Sequence, residues 1–299
     1  MTAIAPILVA GSANLDFVVR ATHIPAPGET VLGREFRTFP GGKGANQAIA
    51  CARTGGVVTR MLLALGDDPY ALPIETSLHE AGVHLKIVRV VGEPTGTAFI
   101  CVSDDAENAI TVAPGANMHL RGDDLPPLDG VTHLLLQLET PIQSVTEMAQ
   151  RARAAGVTVV LNAAPAQSLP RVLLDAVDVL IVNEGELAAI AGPVPVPSMH
   201  DALARVGVPC VIVTLGDRGS CVRTPEGLFA QAAFPVAAID TTAAGDTFCG
   251  AFVAALSEGA PLPEAVRVAS AAAAIACTRL GAQPSIPTRD DVLAFLQSA

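Results

Sequence analysis

Positive charge is scarce in this sequence. Of 299 residues only 18 are Lys or Arg against 29 Asp or Glu, a net charge of −11, and Lys43 and Lys86 are the sole lysines. Binding a phosphate backbone needs a basic face, so nucleic acid is excluded as a partner, and any anionic substrate must be held by a few local groups. Cysteine spacing is equally uninviting to a metal. Cys51, Cys101, Cys210, Cys221, Cys249 and Cys277 are scattered, no two of them separated by the two to four residues that a zinc site favours, and the histidines form no HExxH pair. They read as reduced, mostly buried small hydrophobes. No apolar run of about 18 residues escapes interruption by Gly, Pro or a polar residue, so no membrane span is expected. Residues 1–10 lack a basic leader before the first strand, which makes a signal peptide unconvincing and a cytoplasmic location the expectation. Two phosphate-binding motifs are missing as well. Lys43 is followed by Gly44 and the residue five before Gly42 is Arg37, which rules out a Walker A loop, and Gly11-Ser12-Ala13-Asn14 does not complete GxGxxG.

What is present is a strong folding signal. Hydrophobic residues make up 51% of the chain, and a large α/β sheet absorbs this length as a single domain spanning 1–299. Short aliphatic runs at 6–10, 57–65, 134–138, 157–162, 179–182 and 211–214 mostly lack polar alternation, as suits parallel strands buried on both faces. Helical patterns lie among them at 47–53, 141–155, 170–177, 184–191 and 199–206, and two more follow at 244–258 and 262–279. That order predicts an α/β fold, a doubly wound, mostly parallel sheet flanked by helices. Two segments break the rhythm. Residues 16–20 with 29–39, and 95–102 with 108–112, read as β pairs separated by Pro25-Ala26-Pro27-Gly28 and Ser103-Asp104-Asp105. They predict a small β-sheet lid, formed by about 13–40 and 95–113, that closes over a substrate and excludes water.

The stretch Asp240-Thr241-Thr242-Ala243-Ala244-Gly245-Asp246-Thr247-Phe248-Cys249-Gly250 leads small residues straight into an apolar helical run. Backbone N–H groups at such a helix start can face an anion closely. Asp246, in the first turn, can take a proton from a nucleophile brought to that anion. By itself the pattern also suits an ordinary capped helix after a turn.

Several further motifs share one order along the chain: Gly11-Ser12-Ala13-Asn14-Leu15-Asp16, Pro27-Gly28-Glu29-Thr30, Gly41-Gly42-Lys43-Gly44-Ala45-Asn46-Gln47-Ala48, Gln137-Leu138-Glu139, Asn183-Glu184-Gly185-Glu186, Thr214-Leu215-Gly216, Ala243-Ala244-Gly245-Asp246-Thr247-Phe248 and Gly281-Ala282-Gln283-Pro284-Ser285. Each is weak alone. Together, nearly end to end, they resemble the ribokinase family of carbohydrate kinases, which also holds fructokinases and adenosine kinases. The resemblance implies ATP-dependent phosphorylation of a sugar's primary hydroxyl, in ribose-specific members the 5-hydroxyl. It implies that Asn14, Asp16, Gly42, Lys43, Asn46 and Glu139 bind the sugar, carboxylates and amides being apt partners for hydroxyls. It makes Asp246 the general base, also in contact with the sugar, and the N–H groups of Ala243, Ala244, Gly245 and Asp246 an anion hole for the transferred phosphoryl group. Asn183 and Glu186 would organise Mg²⁺ near the triphosphate, mostly through water. Thr214, Gly216, Gly219, Gly245 and Ser270 would line the ATP site. Asp240, Thr242, Ala276, Arg279, Gly281 and Ser285 match positions that hold a monovalent cation, typically K⁺. The family's homodimers imply a second copy paired through the lid.

Some positions depart from that pattern. Gly185 and Cys249 stand where Thr and Asn are usual, Ser270 replaces an expected larger polar ring on the adenine side, and Asp67-Asp68-Pro69-Tyr70-Ala71 lacks a usual glycine. A nucleoside or 2-deoxyribose kinase of the same fold shares the base and anion hole, and a non-catalytic sugar-binding regulator is the alternative of a different class. Intact Lys43, Asp246, Asn183 and Glu186 argue against the regulator.

Overall fold

Parallel strands buried on both faces require two helical layers, and the computed structural model, which describes residues 7–105, 107–192 and 199–298, has them. The strands are β1 (Ile7–Ala10), β2 (Asn14–Arg20), β3 (Glu35–Gly41), β4 (Thr59–Gly66), β5 (His84–Val90), β6 (Gly96–Val102), β7 (Asn108–Ala113), β8 (His133–Leu136), β9 (Thr158–Asn162), β10 (Val179–Asn183), β11 (Cys210–Thr214), β12 (Ser220–Thr224) and β13 (Gly227–Gln231). The helices are α1 (Lys43–Gly55), α2 (Ala71–Glu80), α3 (Ile142–Ala154), α4 (Arg171–Leu174), α5 (Glu184–Ala191), α6 (Met199–Val206), α7 (Ala244–Ser257), α8 (Leu262–Cys277) and α9 (Arg289–Ser298).

The main sheet runs β13-β12-β11-β10-β9-β8-β1-β4-β5, parallel from β11 to β5, with β12 and β13 antiparallel at one edge. Alternate residues of one strand enter different cores, as the pleat demands. Ile7 and Val9 pack with Met61, Leu63 and the inner faces of α1, α2, α7, α8 and α9. Leu8 and Ala10 pack with Leu62, Leu134 and α3 to α6. This is the doubly wound arrangement expected, and β1 lies between β8 and β4, so the loop after β1 opens where the connections diverge to either side.

The two β pairs are one sheet, not two hairpins. Its order is β3-β2-β6-β7, because β2 and β6 pair in parallel from Asn14↔Gly96 to Arg20↔Val102. The third strand starts at Glu35 rather than at residue 29. Helix α1 starts at Lys43, four residues before the expected start at Gln47, so the glycine-rich stretch is a helix entrance and not a free loop. The expected first strand began at residue 6, which lies outside the described residues. Cys51 and Cys249 are buried, the other four cysteines are partly so, and all six are free thiols. Among the described residues no helix is long and apolar enough to cross a membrane.

Candidate active site

Close backbone approach at a glycine pair joins the first sugar-site motif to the second. Gly42 has φ 88°, and a Cβ there would lie 2.7 Å from the Ala13 Cα; a Cβ on Gly41 would lie 2.2 Å from Asp16 Oδ2. Only glycine lets the entrance of α1 settle onto residues 13–16. Asn14, Asp16 and Asn46 are buried there, while Lys43 and Glu139 are partly buried. Glu139, just after β8, accepts from Ser12 Oγ at 2.6 Å and from the Lys43 backbone N–H at 3.1 Å, both on Oε2. Asn14 Oδ1 accepts from Asn117 Nδ2 at 2.8 Å, and Asn117 also takes the Ala13 N–H at 3.0 Å. Asp246, in the first turn of α7, accepts from Asn46 Nδ2 on Oδ2 and from Gln47 Nε2 on Oδ1, each at 2.9 Å.

Three carboxylates, Asp246, Glu139 and Glu186, therefore act on one lysine, and Asp16 lies close enough to Glu139 and Asp246 to feel both. Burial pushes Asp16 up to about 7, with Glu139 and then Asp246 adding repulsion. The Asp246 carboxylate holds Lys43 above its ordinary range, burial opposing it and Glu139 and Glu186 assisting. Burial raises Glu186 as well, partly offset by the Asn183 N–H and Lys43. Cys249 is pushed well up by burial, then by Asp246 and Glu186, and is a neutral thiol.

Two cavities meet at the start of α7. One of about 230 Å³ is lined by Lys43, Asn162, Asn183, Glu186, Gly245 and Asp246. The other, about 490 Å³ and more apolar, is lined by Thr214, Gly216, Gly219, Phe234, Gly245 and Ser270 among others. Gly245 borders both, and a Cβ on it would meet only open space. Its helix does not require glycine there; the missing side chain keeps the junction open.

The helix start differs from the expected anion hole in one donor. The Ala244 N–H is turned back onto the Thr241 carbonyl at 3.2 Å. Gly245 and Asp246 N–H groups lie in the first turn, where the helix itself offers no carbonyl partner. Ala243 precedes them in the left-handed region at φ 59°, the single such non-glycine among the described residues.

Asn183 and Glu186 form a capping box on α5: Asn183 Oδ1 accepts the Glu186 N–H, and Glu186 Oε2 accepts the Asn183 N–H, both at 2.8 Å. Thr214 Oγ1 donates to the Val182 carbonyl at 3.3 Å. Gly219 has φ 89° and would clash with the Gln231 carbonyl if it carried a Cβ. The proposed cation positions converge in part. Asp240 Oδ1 accepts the Thr242 N–H at 2.9 Å and its Oδ2 accepts the Gly281 N–H at 2.8 Å. Burial works to raise Asp240, but the bonds from Thr242 and Gly281 outweigh it and hold the carboxyl below its usual range. The Arg279 side chain is turned away to Asp291 at 3.1 Å, its N–H and that of Thr278 go to the Ala276 carbonyl, and Ser285 Oγ donates to the Ala282 carbonyl. Among the described residues no three of His, Cys, Asp and Glu gather to hold a metal.

Sequence reasoning missed Ser12, Gln47, Gln137, Asn117 and Asn162 as site residues. Ser12, Gln47 and Gln137 sit inside the quoted motifs; Asn117 and Asn162 carry no local signal.

A cradle of amides and carboxylates, a lone lysine, a helix start and an apolar cavity in sequence define a phosphotransferase acting on a polyol. The chain belongs to the pfkB family of carbohydrate kinases, whose family model matches residues 5–289. It is 41% identical to the ribokinase of Haemophilus influenzae, over 97% of this chain and 98% of that one. Among solved structures, ribokinase from Thermotoga maritima superposes with a TM-score of 0.91 at 39% identity, covering 98% of this chain and 99% of that one. Arabidopsis thaliana ribokinase, solved with ribose and ATP, gives 0.90 at 37% identity and the same coverage.

Proposed function

We infer that this chain transfers the γ-phosphoryl group of ATP to the 5-hydroxyl of D-ribose. The observation that carries the reading is the position of Asp246: its carboxylate stands at the start of α7, held by Asn46 and Gln47, between the sugar cradle and the cavity that Gly245 opens. Asn46 Oδ1 is buried without a hydrogen-bond partner, an acceptor that a sugar hydroxyl would satisfy. Asp16 and Glu139 orient the remaining hydroxyls, and ATP places its adenine in the apolar cavity beside Ser270. Asp246 takes the proton of the attacking hydroxyl as the N–H groups of Gly245 and Asp246 meet the charge on the transferred group.

Asp16, Glu139, Glu186 and Asp246 against Lys43 give a formal charge of −4 + 1 = −3 when all are ionised. A triphosphate enters such a site only with cations. Mg²⁺ would sit beside Glu186 and Asn183, held largely by phosphate and water, and would neutralise the triphosphate; K⁺ would sit among Asp240 and the backbone of Thr242, Ala276, Arg279, Gly281 and Ser285. The small sheet serves as a lid. Its face bearing Asp16 pairs two copies in a homodimer, and the enzyme works in the cytoplasm.

The test is ADP release with ribose, 2-deoxyribose, fructose and adenosine, in K⁺ and then in Na⁺ alone. Ribose is expected to give the highest kcat/KM, with product phosphorylated at the 5-position by phosphorus NMR, and faster in K⁺. Asp246→Asn should fold normally and lose nearly all turnover, since a positioned base contributes about 10² to 10⁴; a tenth of wild-type kcat remaining would remove the base role. Binding of ribose without turnover of any sugar would favour a regulator.

A further inference from the structure

Asp246 is held by an amide chain whose direction is set far from the substrate. The Ile181 carbonyl on β10 can only accept, so Asn162 turns its Nδ2 toward it, at 3.2 Å. Asn162 must then present Oδ1 on its other side, and Gln47 Nε2 donates to that oxygen at 3.0 Å. The same Nε2 donates to Asp246 Oδ1 at 2.9 Å, so both of its acceptors demand the amine. Gln47 Oε1 is left for Gln137 Nε2, at 2.7 Å, and the chain ends at Gln137 Oε1, which is buried with no partner. Turned round, the chain would leave a buried Gln137 amine at that end instead of the oxygen, and would set amide oxygens against the Ile181 carbonyl and the Asp246 carboxylate. Reversal is blocked at the Ile181 end.

The packing holds Gln47 equally firmly. Gln47, Gln137 and Asn162 are all buried, and Gly250 of α7 lies against α1 so closely that a Cβ would come within 2.5 Å of the Gln47 carbonyl. The amine therefore meets Asp246 with little freedom to withdraw.

We propose that Gln47 is a positioning residue for Asp246: its amine, oriented through Asn162 by the Ile181 carbonyl, keeps Oδ1 of the carboxylate engaged. This rests on Asp246 acting as the base. The hydrogen bond favours the charged form, so it lets the base accept a proton at lower pH than it otherwise could, and it restricts rotation of the carboxylate to the position set jointly with Asn46.

The test is the pH profile of kcat at saturating ribose and ATP for Gln47→Met, which keeps volume and removes the donor. The acidic limb is expected to move up by about one pH unit, since a hydrogen bond to a charged group is worth about that much. At neutral pH kcat should fall roughly tenfold to a hundredfold, with KM for ribose within about threefold of wild type. Asn162→Ala, which leaves Gln47 in place but free to turn, should move the limb the same way by less. A merely structural role would lower kcat at every pH alike and leave the limb where it was. A folded Gln47→Met protein with the wild-type limb overturns the proposal; if Gln47→Met does not fold, an unmoved limb in Asn162→Ala does so. Turnover retained in Asp246→Asn would instead remove the base reading on which the proposal stands, so the two failures are distinct.

Discussion

A carboxyl whose proton is held by its surroundings links binding to stability at the level of one residue. Asp16 is raised from 3.8 to about 7 by burial and by Glu139 and Asp246. Between those values the folded protein binds a proton that the unfolded chain has released, so this group's contribution to stability is complete below about pH 4 and is lost as pH rises through 7. Above that range the free enzyme holds a buried charge beside two others, a state that a sugar's hydroxyl donors would relieve. Asp16→Asn removes the charge and keeps the shape. Its Tm, without sugar, is expected to match wild type only below about pH 4, to lead it modestly at pH 5 and to exceed it by about 2 °C or more at pH 8, while KM for ribose rises about tenfold or more as the charged acceptor is lost. Thermal scans from pH 5 to 8 check this, and a Tm difference that does not change with pH would remove the argument. Its motif marked the residue beforehand as a candidate partner for hydroxyls. Its protonation was not legible, because the charges that shift it arrive from positions 139 and 246.

At the scale of elements, the entrance to α7 concentrates what a sequence can and cannot disclose. The run of small residues foretold a helix beginning next to an anion site, and the helix begins at Ala244 as expected. The left-handed turn at Ala243 and the loss of the Ala244 N–H to Thr241 were hidden, since alanine gives no sign of positive φ. A non-glycine in that region costs roughly 1 kcal/mol or more. Ala243→Gly is thus expected to be at least as stable as wild type in urea, the relief exceeding the added freedom of its unfolded chain. Ala243→Val, β-branched in a region that excludes it, should lose roughly 1 to 2 kcal/mol and turn over more slowly as the first N–H groups shift; equal stability of the two variants would contradict the turn. Elsewhere, legibility followed burial on both faces. The strands β4, β8, β9, β10 and β11 read as apolar runs, whereas β5 and β13 at the sheet's edges have no buried residue, β12 next to β13 is only partly buried, and all three escaped. Helices α2 and α9 lie at the rim of one core and bury few residues, so their periodicity is faint. The parallel β2–β6 pairing that makes one small sheet joins residues about 80 apart, a contact no local pattern records.

The whole molecule leaves apolar side chains exposed on both faces of that small sheet, and one of those faces bears Asp16. Phe17 stacks on Phe36 and Phe99 and meets Tyr70 of the α2 entrance edge-on, so its face meets the body of the chain only there, and Phe36 and Phe99 stay exposed. The opposite face follows from the register: Asp16, Ala98 and Val112 form one row across the strands, and Val18, Ile100 and Ile110 form the next. Ile110 is 55% and Val112 43% exposed, so an apolar surface begins beside Asp16 and runs outward without cover. A second copy laid on it would bury those side chains and close the sugar cradle from outside, joining association to binding. The expected mass in solution is twice 30.4 kDa. Ile110→Glu puts a charge into the middle of that contact and should give a species of 30.4 kDa by light scattering, with an unchanged far-ultraviolet spectrum, because every residue of β7 is exposed in the single chain. Its KM for ribose should rise severalfold, as a cradle open on that side admits water and loses order, while KM for ATP, bound in the apolar cavity on the other side of Gly245, stays near wild type. An Ile110→Glu protein that remains a dimer places the pairing surface elsewhere. A monomer with wild-type KM would show that the lid closes without a partner.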